Sequence, residues 1–336
     1  MRERKVISIT TNLSRYGGAQ KVLMDVHNGL KGQFNCLVTG RQAFEQLHPK
    51  YQIAAEEYIL FHPRVLKNNI VLVHARNLIP FIVFLNKLLR LNARVIYISH
   101  NVYRTYRRLT FFPENIVSIS QKVTQNLENY FKVKGKKITL IYNGIRDTAG
   151  IPEAAGRQYK QQDAIKILYP ARVNQVKRQL QIVNRLKDKI AANIEIHFAG
   201  AGEDLEALKQ CCDGLPNFKV LGFVNDMERL IPGYDYLMLY SVQEGLPIAL
   251  LEGIMHGKPL LVNDVGGNLE IGVPQFNAIR LEDGWEGLGT QINGLNDVTG
   301  LQYAEMAANS RSHFLARFQY GQMIKEYEQL INTLST

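Results

Sequence analysis

The sequence predicts an α/β protein built as two doubly wound domains of parallel sheet. Three observations predict it. Short apolar runs suited to buried strands alternate with stretches of helical spacing along the whole chain. At 336 residues the chain has the length of two ordinary domains. The alternation breaks once, at the polar, non-periodic stretch Arg146 to Asp163 with Gly150, Pro152 and Gly156, which reads as a linker. An apolar content of 46% supplies two cores and argues against disorder.

In the first domain, 1–145, strand patterns fall at 5–11, 34–39, 70–74, 94–100, 116–120 and 138–142. After the first of them a polar loop ends in Gly17-Gly18, and Val22, Leu23, Val26 and Leu30 mark an amphipathic helix. Residues 41–67 show no clear pattern. Leu78 to Leu91 is apolar nearly all round, with Asn86, Lys87 and Arg90 on one stripe. It reads as a buried helix covering the sheet, with a membrane-facing helix as the alternative. Val102 to Phe112 sets Arg104, Arg107 and Arg108 among Tyr103, Tyr106, Phe111 and Phe112, a composition suited to an acceptor, to anionic headgroups, or to a plain solvated face.

The second domain, 164–318, has strand patterns at 165–169, 194–198, 218–223, 236–240 and 260–263 with helices between. Residues 319–336 form a final amphipathic helix through Tyr320, Met323, Ile324, Tyr327, Leu330 and Ile331.

Charge is unevenly placed. Residues 1–150 hold 23 Lys and Arg against 8 Asp and Glu, a balance of +15, and residues 151–336 hold 17 against 22, a balance of −5. The basic half points to an anionic partner, and an anionic membrane surface or lipid phosphate is expected rather than nucleic acid. Met1 to Lys5 is charged and runs straight into a strand pattern, unlike a signal peptide, and no apolar run approaches the ~18 residues of a membrane span. Cys36, Cys211 and Cys212 show neither disulfide nor metal spacing. A reduced, cytoplasmic protein is expected, peripheral on the inner face of the membrane if it meets one.

The most informative stretch is Ser241 to Glu252, S-V-Q-E-G-L-P-I-A-L-L-E. It follows the apolar run 236–240 and precedes Leu250, Leu251, Ile254 and Met255 at helical spacing, so 243–246 is a strand-to-helix turn. Gly245 frees the backbone and Pro247 suits the first helical position. Amides near Leu246 and Ile248 would offer an anion site, yet Glu244 and Glu252 flank it and would repel a bare phosphate. A ligand with phosphates in the middle and hydroxyls at both ends fits. Pro247 to Glu252 spans roughly 7–8 Å, about the reach from a pyrophosphate to a ribose. The ligand is then a nucleotide-diphosphate sugar, with Glu252 on ribose and Glu244 on sugar hydroxyls. The plainer alternative is two surface carboxylates around a structural helix.

Other residues gather at the carboxyl ends of predicted strands, where open parallel sheets bind ligands. Arg172 and Lys177 bracket the start of a helix and could clamp a pyrophosphate, or be exposed cations. Gly200-Ala-Gly202 and Gly222-Phe-Val224 are turns on which a ligand could lie, or simple turns. Gly17-Gly18 is either anion-binding or a plain turn, and lacks the G-x-G-x-x-G dinucleotide spacing. His74 and His100 end strands; His74 reads as structural, and His100-Asn101 as either structural or part of the site.

This ordered set resembles the glycosyltransferases of family 4, retaining enzymes of the GT-B fold. The E-x7-E element is similar to Glu244 and Glu252, the Arg and Lys clamp to Arg172 and Lys177, the G-G loop to Gly17 and Gly18, and the H-N pair to His100-Asn101. N-G-I appears at Asn143 to Ile145, G-x-G at Gly200 and Gly202, and G-G-x-x-E at Gly266, Gly267 and Glu270. The resemblance implies two Rossmann-like domains facing across a cleft, with donor in the second, acceptor in the first, and the last helix crossing back to the first. It implies hexosyl transfer by same-face attack, with His100, Glu244, Arg172 and Lys177 at the reacting centre. The donor-binding set is Gly17, Gly18, Gly200, Gly202, Val224, Gly245, Leu246, Pro247, Ile248 and Glu252. No two aspartates lie two apart, so the D-x-D of metal-dependent sugar-nucleotide enzymes is missing, and no metal or other cofactor is expected. The acceptor would be a glycan or lipid-linked, in cell-surface polysaccharide or glycolipid synthesis. Rival readings are an epimerase or phosphorylase on the same fold, or a non-catalytic basic binder.

Overall fold

A computed structural model describes residues 4–14, 17–149 and 164–335. The chain divides into two compact units, one of Met1–Gly144 with Tyr320–Thr336, the other of Ile145–Gln319. Most of the linker expected at 146–163 lies outside the described residues. Of what is described, Ile145 bridges to Gln319, and Asp147 is held bidentately by Arg311 at 2.8 and 2.6 Å.

The first unit runs β1 (Val6–Ile9), α1 (Gly18–Leu30), β2 (Cys36–Gly40), β3 (Tyr58–Leu60), β4 (Ile70–Val73), α2 (Ile79–Leu88), β5 (Arg94–Ser99), β6 (Asn115–Ser118), α3 (Gln121–Gln125) and β7 (Lys137–Leu140). Its sheet is parallel throughout, in the order β3-β2-β1-β4-β5-β6-β7. Every residue of β1 and β4 is buried, as continuous apolar strands covered on both faces require. β3 escaped the sequence reading because it is a three-residue edge strand, only half-buried and set among 3-10 turns.

The second unit runs β8 (Ile165–Pro170), α4 (Gln179–Leu186), β9 (Ile194–Ala199), α5 (Leu205–Cys212), β10 (Phe218–Gly222), α6 (Met227–Leu230), β11 (Tyr236–Leu239), α7 (Ile248–Met255), β12 (Leu260–Val262), α8 (Asn268–Ile271), β13 (Ala278–Arg280), α9 (Leu288–Asn293) and α10 (Gly300–Arg317). Its parallel sheet has the order β10-β9-β8-β11-β12-β13. The missed strand β13 is again a short edge strand.

The final helix, α11 (Tyr320–Ser335), packs with α1 in the first unit. Tyr320 Oη donates to Asp25 O at 3.0 Å. A Cβ on Gly29 would stand 2.3 Å from Ile324 Cδ1, so a glycine at that position is what lets the two helices approach.

Helix α2 corrects an expectation. It is not buried all round: Ile79 and Ile82 face the core, while Phe81, Phe84 and Leu88 are exposed at 40, 61 and 60%. Those three recur at i, i+3 and i+7, one stripe of the helix. An apolar run by itself does not show how much of a helix a short sheet can cover.

Candidate functional site

In each sheet the strand order reverses once, between β1 and β4 in the first and between β8 and β11 in the second. At such a switch point the following loops part in opposite directions and leave a crevice at the carboxyl edge. The loop after β8 carries Arg172 and Lys177; the loop after β11 carries Glu244 to Pro247.

In the second unit the two loops meet. Lys177 Nζ donates to Glu244 Oε1 in a short, direct ion pair, the two side chains being only 20 and 8% exposed. The backbone beneath is tied together. Fully buried Tyr169, at the end of β8, donates from Oη to Lys177 O at 2.7 Å and accepts from Tyr240 N at 2.9 Å. Val242 N donates to Val176 O at 2.8 Å, and Asn174 caps the turn by accepting from Lys177 N at 3.1 Å. Buried Gln179 donates to Arg172 O at 3.0 Å and shapes that loop, while the Arg172 side chain is exposed.

The glycines serve backbone contact. A Cβ on Gly200 would lie 2.0 Å from Ala171 O, and one on Gly202 2.0 Å from Val173 O, so this turn presses against the Arg172 loop from β9. Gly266, at φ +55°, would carry a Cβ 2.4 Å from Glu244 O, and Gly267 N donates to Gly245 O at 2.6 Å. The G-G loop after β12 is thus the floor under Glu244.

Pro247 is the N-cap residue of α7 and not its first helical residue; the helix starts at Ile248. The amides of Ile248 and Ala249 have no carbonyl one turn back within the helix, so they face outward beside Glu244. Leu246 is buried and anchors the turn, and Glu252 is half-buried further along α7. Val224 lies past β10, two strands from β8, or about 10 Å away in the sheet.

The sequence reading missed the brace formed by Tyr169, Gln179 and Asn174. A tyrosine ending an apolar run carries no signal of its own; only N-x-x-K at 174–177 marked a turn cap. It also missed the stack beside the pair, where the Arg178 guanidinium lies 5.2 Å from the Tyr240 ring and 5.5 Å from that of Trp285.

The remaining candidates belong to the first unit. Gly17 is the N-cap of α1, and a Cβ on Gly18 would meet nothing within 4 Å. His100 follows β5, and desolvation holds its pKa down to about 4. Arg104, Arg107 and Arg108 are exposed on a loop whose base is fixed by Arg76, which donates to Thr105 O at 2.6 Å and lies 4.1 Å from the Tyr103 ring. A cavity of about 420 Å³ opens at the β1/β4 switch point, lined by the polar residues Thr10, Thr11, Arg41 and Asn77 and by Phe61 and Phe81. Among the described residues no group of three or more His, Cys, Asp or Glu converges as metal ligands would, and no helix is long and apolar enough to cross a membrane.

Fold and sequence together define the class. Residues 11–148 match the domain family Glycosyltransferase Family 4, and residues 164–295 match Glycosyl transferases group 1. The two units therefore each carry a glycosyltransferase family domain, on the two Rossmann-like folds of the GT-B class. The O-antigen biosynthesis glycosyltransferase WbnH of Escherichia coli is 28% identical over 183 residues, 54% of this chain and 50% of that protein. An Escherichia coli UDP-Gal:alpha-D-GlcNAc-diphosphoundecaprenol alpha-1,3-galactosyltransferase is 27% identical over 39% of this chain and 35% of its own. The chain spans about half the length, or less, of these curated relatives. Among solved structures, Anabaena HepE in complex with UDP aligns over 98% of this chain and 100% of its own, with a TM-score of 0.82 at 16% identity.

Proposed function

We propose that the protein transfers a sugar from a nucleotide-diphosphate sugar to a lipid-linked glycan, in the assembly of a surface polysaccharide, with retention and without a metal ion. The observation that carries this reading is the Lys177–Glu244 pair at the start of α7. Glu244 is buried, and Lys177, its charge partner, ends a flexible stem. An arriving diphosphate draws Lys177 away, toward the site framed by Arg172 and the amides of Ile248 and Ala249. Glu244 is then left to accept hydrogen bonds from sugar hydroxyls, and Glu252 from ribose. As the bond from C1 to the phosphate oxygen breaks, these cationic groups meet the developing charge. The acceptor oxygen attacks C1 on the same face, and its proton passes to the departing phosphate. The cofactor role is empty in this scheme.

Features of the first unit support this acceptor. The cavity of that unit has a mixed polar and apolar lining, and Phe81 is shared between the cavity and the exposed stripe of α2. With Arg104, Arg107 and Arg108 exposed in a unit of strong positive charge, a diphosphate headgroup on a hydrocarbon chain suits the surface. UDP in HepE and the diphosphoundecaprenol in the name of the galactosyltransferase are of the same chemical kinds.

A panel of UDP-, GDP- and ADP-sugars, read by thermal stabilisation, tests the donor, since binding raises stability by mass action. The stabilising donor is then given to a diphospholipid-linked sugar, and the product linkage is read by NMR. Stabilisation and an anomeric configuration matching the donor are expected. Turnover of the sugar nucleotide without any acceptor would replace the reading with an epimerase.

A further inference from the structure

His74 and His100 sit at the carboxyl ends of neighbouring strands β4 and β5. Their rings lie edge to edge and nearly coplanar, with centroids 5.2 Å apart and planes 19° apart, and His74 Nδ1 lies 3.0 Å from His100 Nε2. One hydrogen occupies that gap, so one ring donates and the other accepts. The choice turns on the far side of His74. Its Nε2 is buried and has no partner among the described residues. Were His100 the donor, neutral His74 would carry its own proton on Nε2, as a buried N–H with nothing to receive it. With His74 donating from Nδ1, the buried Nε2 is a bare lone pair. Orphaned buried N–H groups are the rarer of the two in folded proteins. The second arrangement therefore costs less: it leaves the proton of His100 on Nδ1, in a ring that is only half-buried and whose Nδ1 is not a buried orphan, so that N–H is open to water or a ligand.

We infer that His74 is a positioning residue whose Nδ1–H locks His100 in the Nδ1–H form, making His100 a hydrogen-bond donor to an oxygen of the bound substrate. The substrate half of this rests on the glycosyltransferase reading above; the tautomer does not. Which nitrogen of an imidazole carries the proton is set by what the other one meets. Without His74 the ring would be free to take its proton on Nε2 and present a lone pair outward.

The test uses the full chain with ¹⁵N-labelled histidine, read by long-range proton–nitrogen correlation near pH 7.5, with His100→Ala to assign the signals. The expected wild-type pattern is a protonated Nδ1 and a bare Nε2 on His100. His74→Phe keeps an aromatic ring at that place but no donor, and is expected to lose that pattern. His74→Asn keeps an N–H where Nδ1 stood, and is expected to retain it. A protonated Nε2 on wild-type His100, or a pattern unchanged in His74→Phe, overturns the assignment. Turnover is the second arm. With the donor that stabilises the protein, His74→Phe is expected to lose about tenfold in kcat, near what one net hydrogen bond supplies, with KM little changed and recovery in His74→Asn. Equal losses in both variants would make His74 merely structural. Wild-type turnover in His100→Ala would remove the substrate half while leaving the tautomer to stand on its spectrum.

Discussion

Lys177 and Glu244 lie 67 residues apart in sequence and in direct contact in space, joined across the reversal of strand order between β8 and β11. Both are largely out of water, so the pair links stability to function. Lys177→Ala is predicted to lower turnover by on the order of 10²-fold. It also strands a buried carboxylate, at a cost of roughly 3–5 kcal/mol. The double variant Lys177→Met with Glu244→Gln removes both charges, so urea unfolding is expected to show most of that stability returning while activity stays lost. Activity returning with stability would show the pair to be only structural.

The floor beneath Glu244 gives a second prediction. Gly266 combines φ +55° with a Cβ position 2.4 Å from Glu244 O. Gly266→Ala has to move the Glu244 loop or strain its own backbone, costing about 1–3 kcal/mol. Donor-induced thermal stabilisation should fall with it. Gly18→Ala, where a Cβ meets nothing within 4 Å and φ carries no penalty, serves as the contrast and is expected to leave stability within about 0.5 kcal/mol.

Tyr169 offers a third. Its hydroxyl joins Lys177 O to Tyr240 N inside the second unit. Tyr169→Phe leaves a buried amide and a carbonyl each short of a partner, a loss of about 1–3 kcal/mol in chemical denaturation. KM for the donor should rise, because the Lys177 turn loosens. An unchanged midpoint would mean that water replaces the hydroxyl.

The exposed face of α2 predicts lipid binding. Co-sedimentation with vesicles containing phosphatidylglycerol is expected, weakening as salt rises through the range where the Debye length falls below about 10 Å. Phe84→Asp with Leu88→Asp should abolish it, and Arg107→Ala with Arg108→Ala should reduce it. Equal binding to neutral vesicles would remove the electrostatic part of the idea.

The histidine pair predicts a pH dependence. Burial holds His74 well below its ordinary 6.5, with the His100 charge adding, and holds His100 near 4. Both stay neutral in the fold while the unfolded chain takes up protons below about pH 6.5. Their contribution is therefore complete above pH 6.5 and is lost as pH falls from there toward 4. His27, His197, His256 and His313 shift the same way, so the comparison that isolates the pair is wild type against His74→Phe with His100→Phe. The double variant should show a shallower fall in melting temperature between pH 6.5 and 4.5.

The sequence alone determined the two α/β units, the long strands at the centre of each sheet, and the turns bearing Arg172, Lys177 and Glu244, because buried strands, glycine turns and helix starts leave marks within a few residues. It did not determine β3 and β13, whose three-residue edge strands bury too little to force an apolar pattern. Nor did it show which side of α2 faces water, since an apolar residue looks the same on either face. Only the tertiary structure decided that Lys177 holds Glu244, that Gly266 supports it, and that His74 holds His100. Each of these joins residues 22 to 67 positions apart. Parallel strands bring their carboxyl ends together only through crossovers, and strand order, which no local spacing encodes, selects which ends meet.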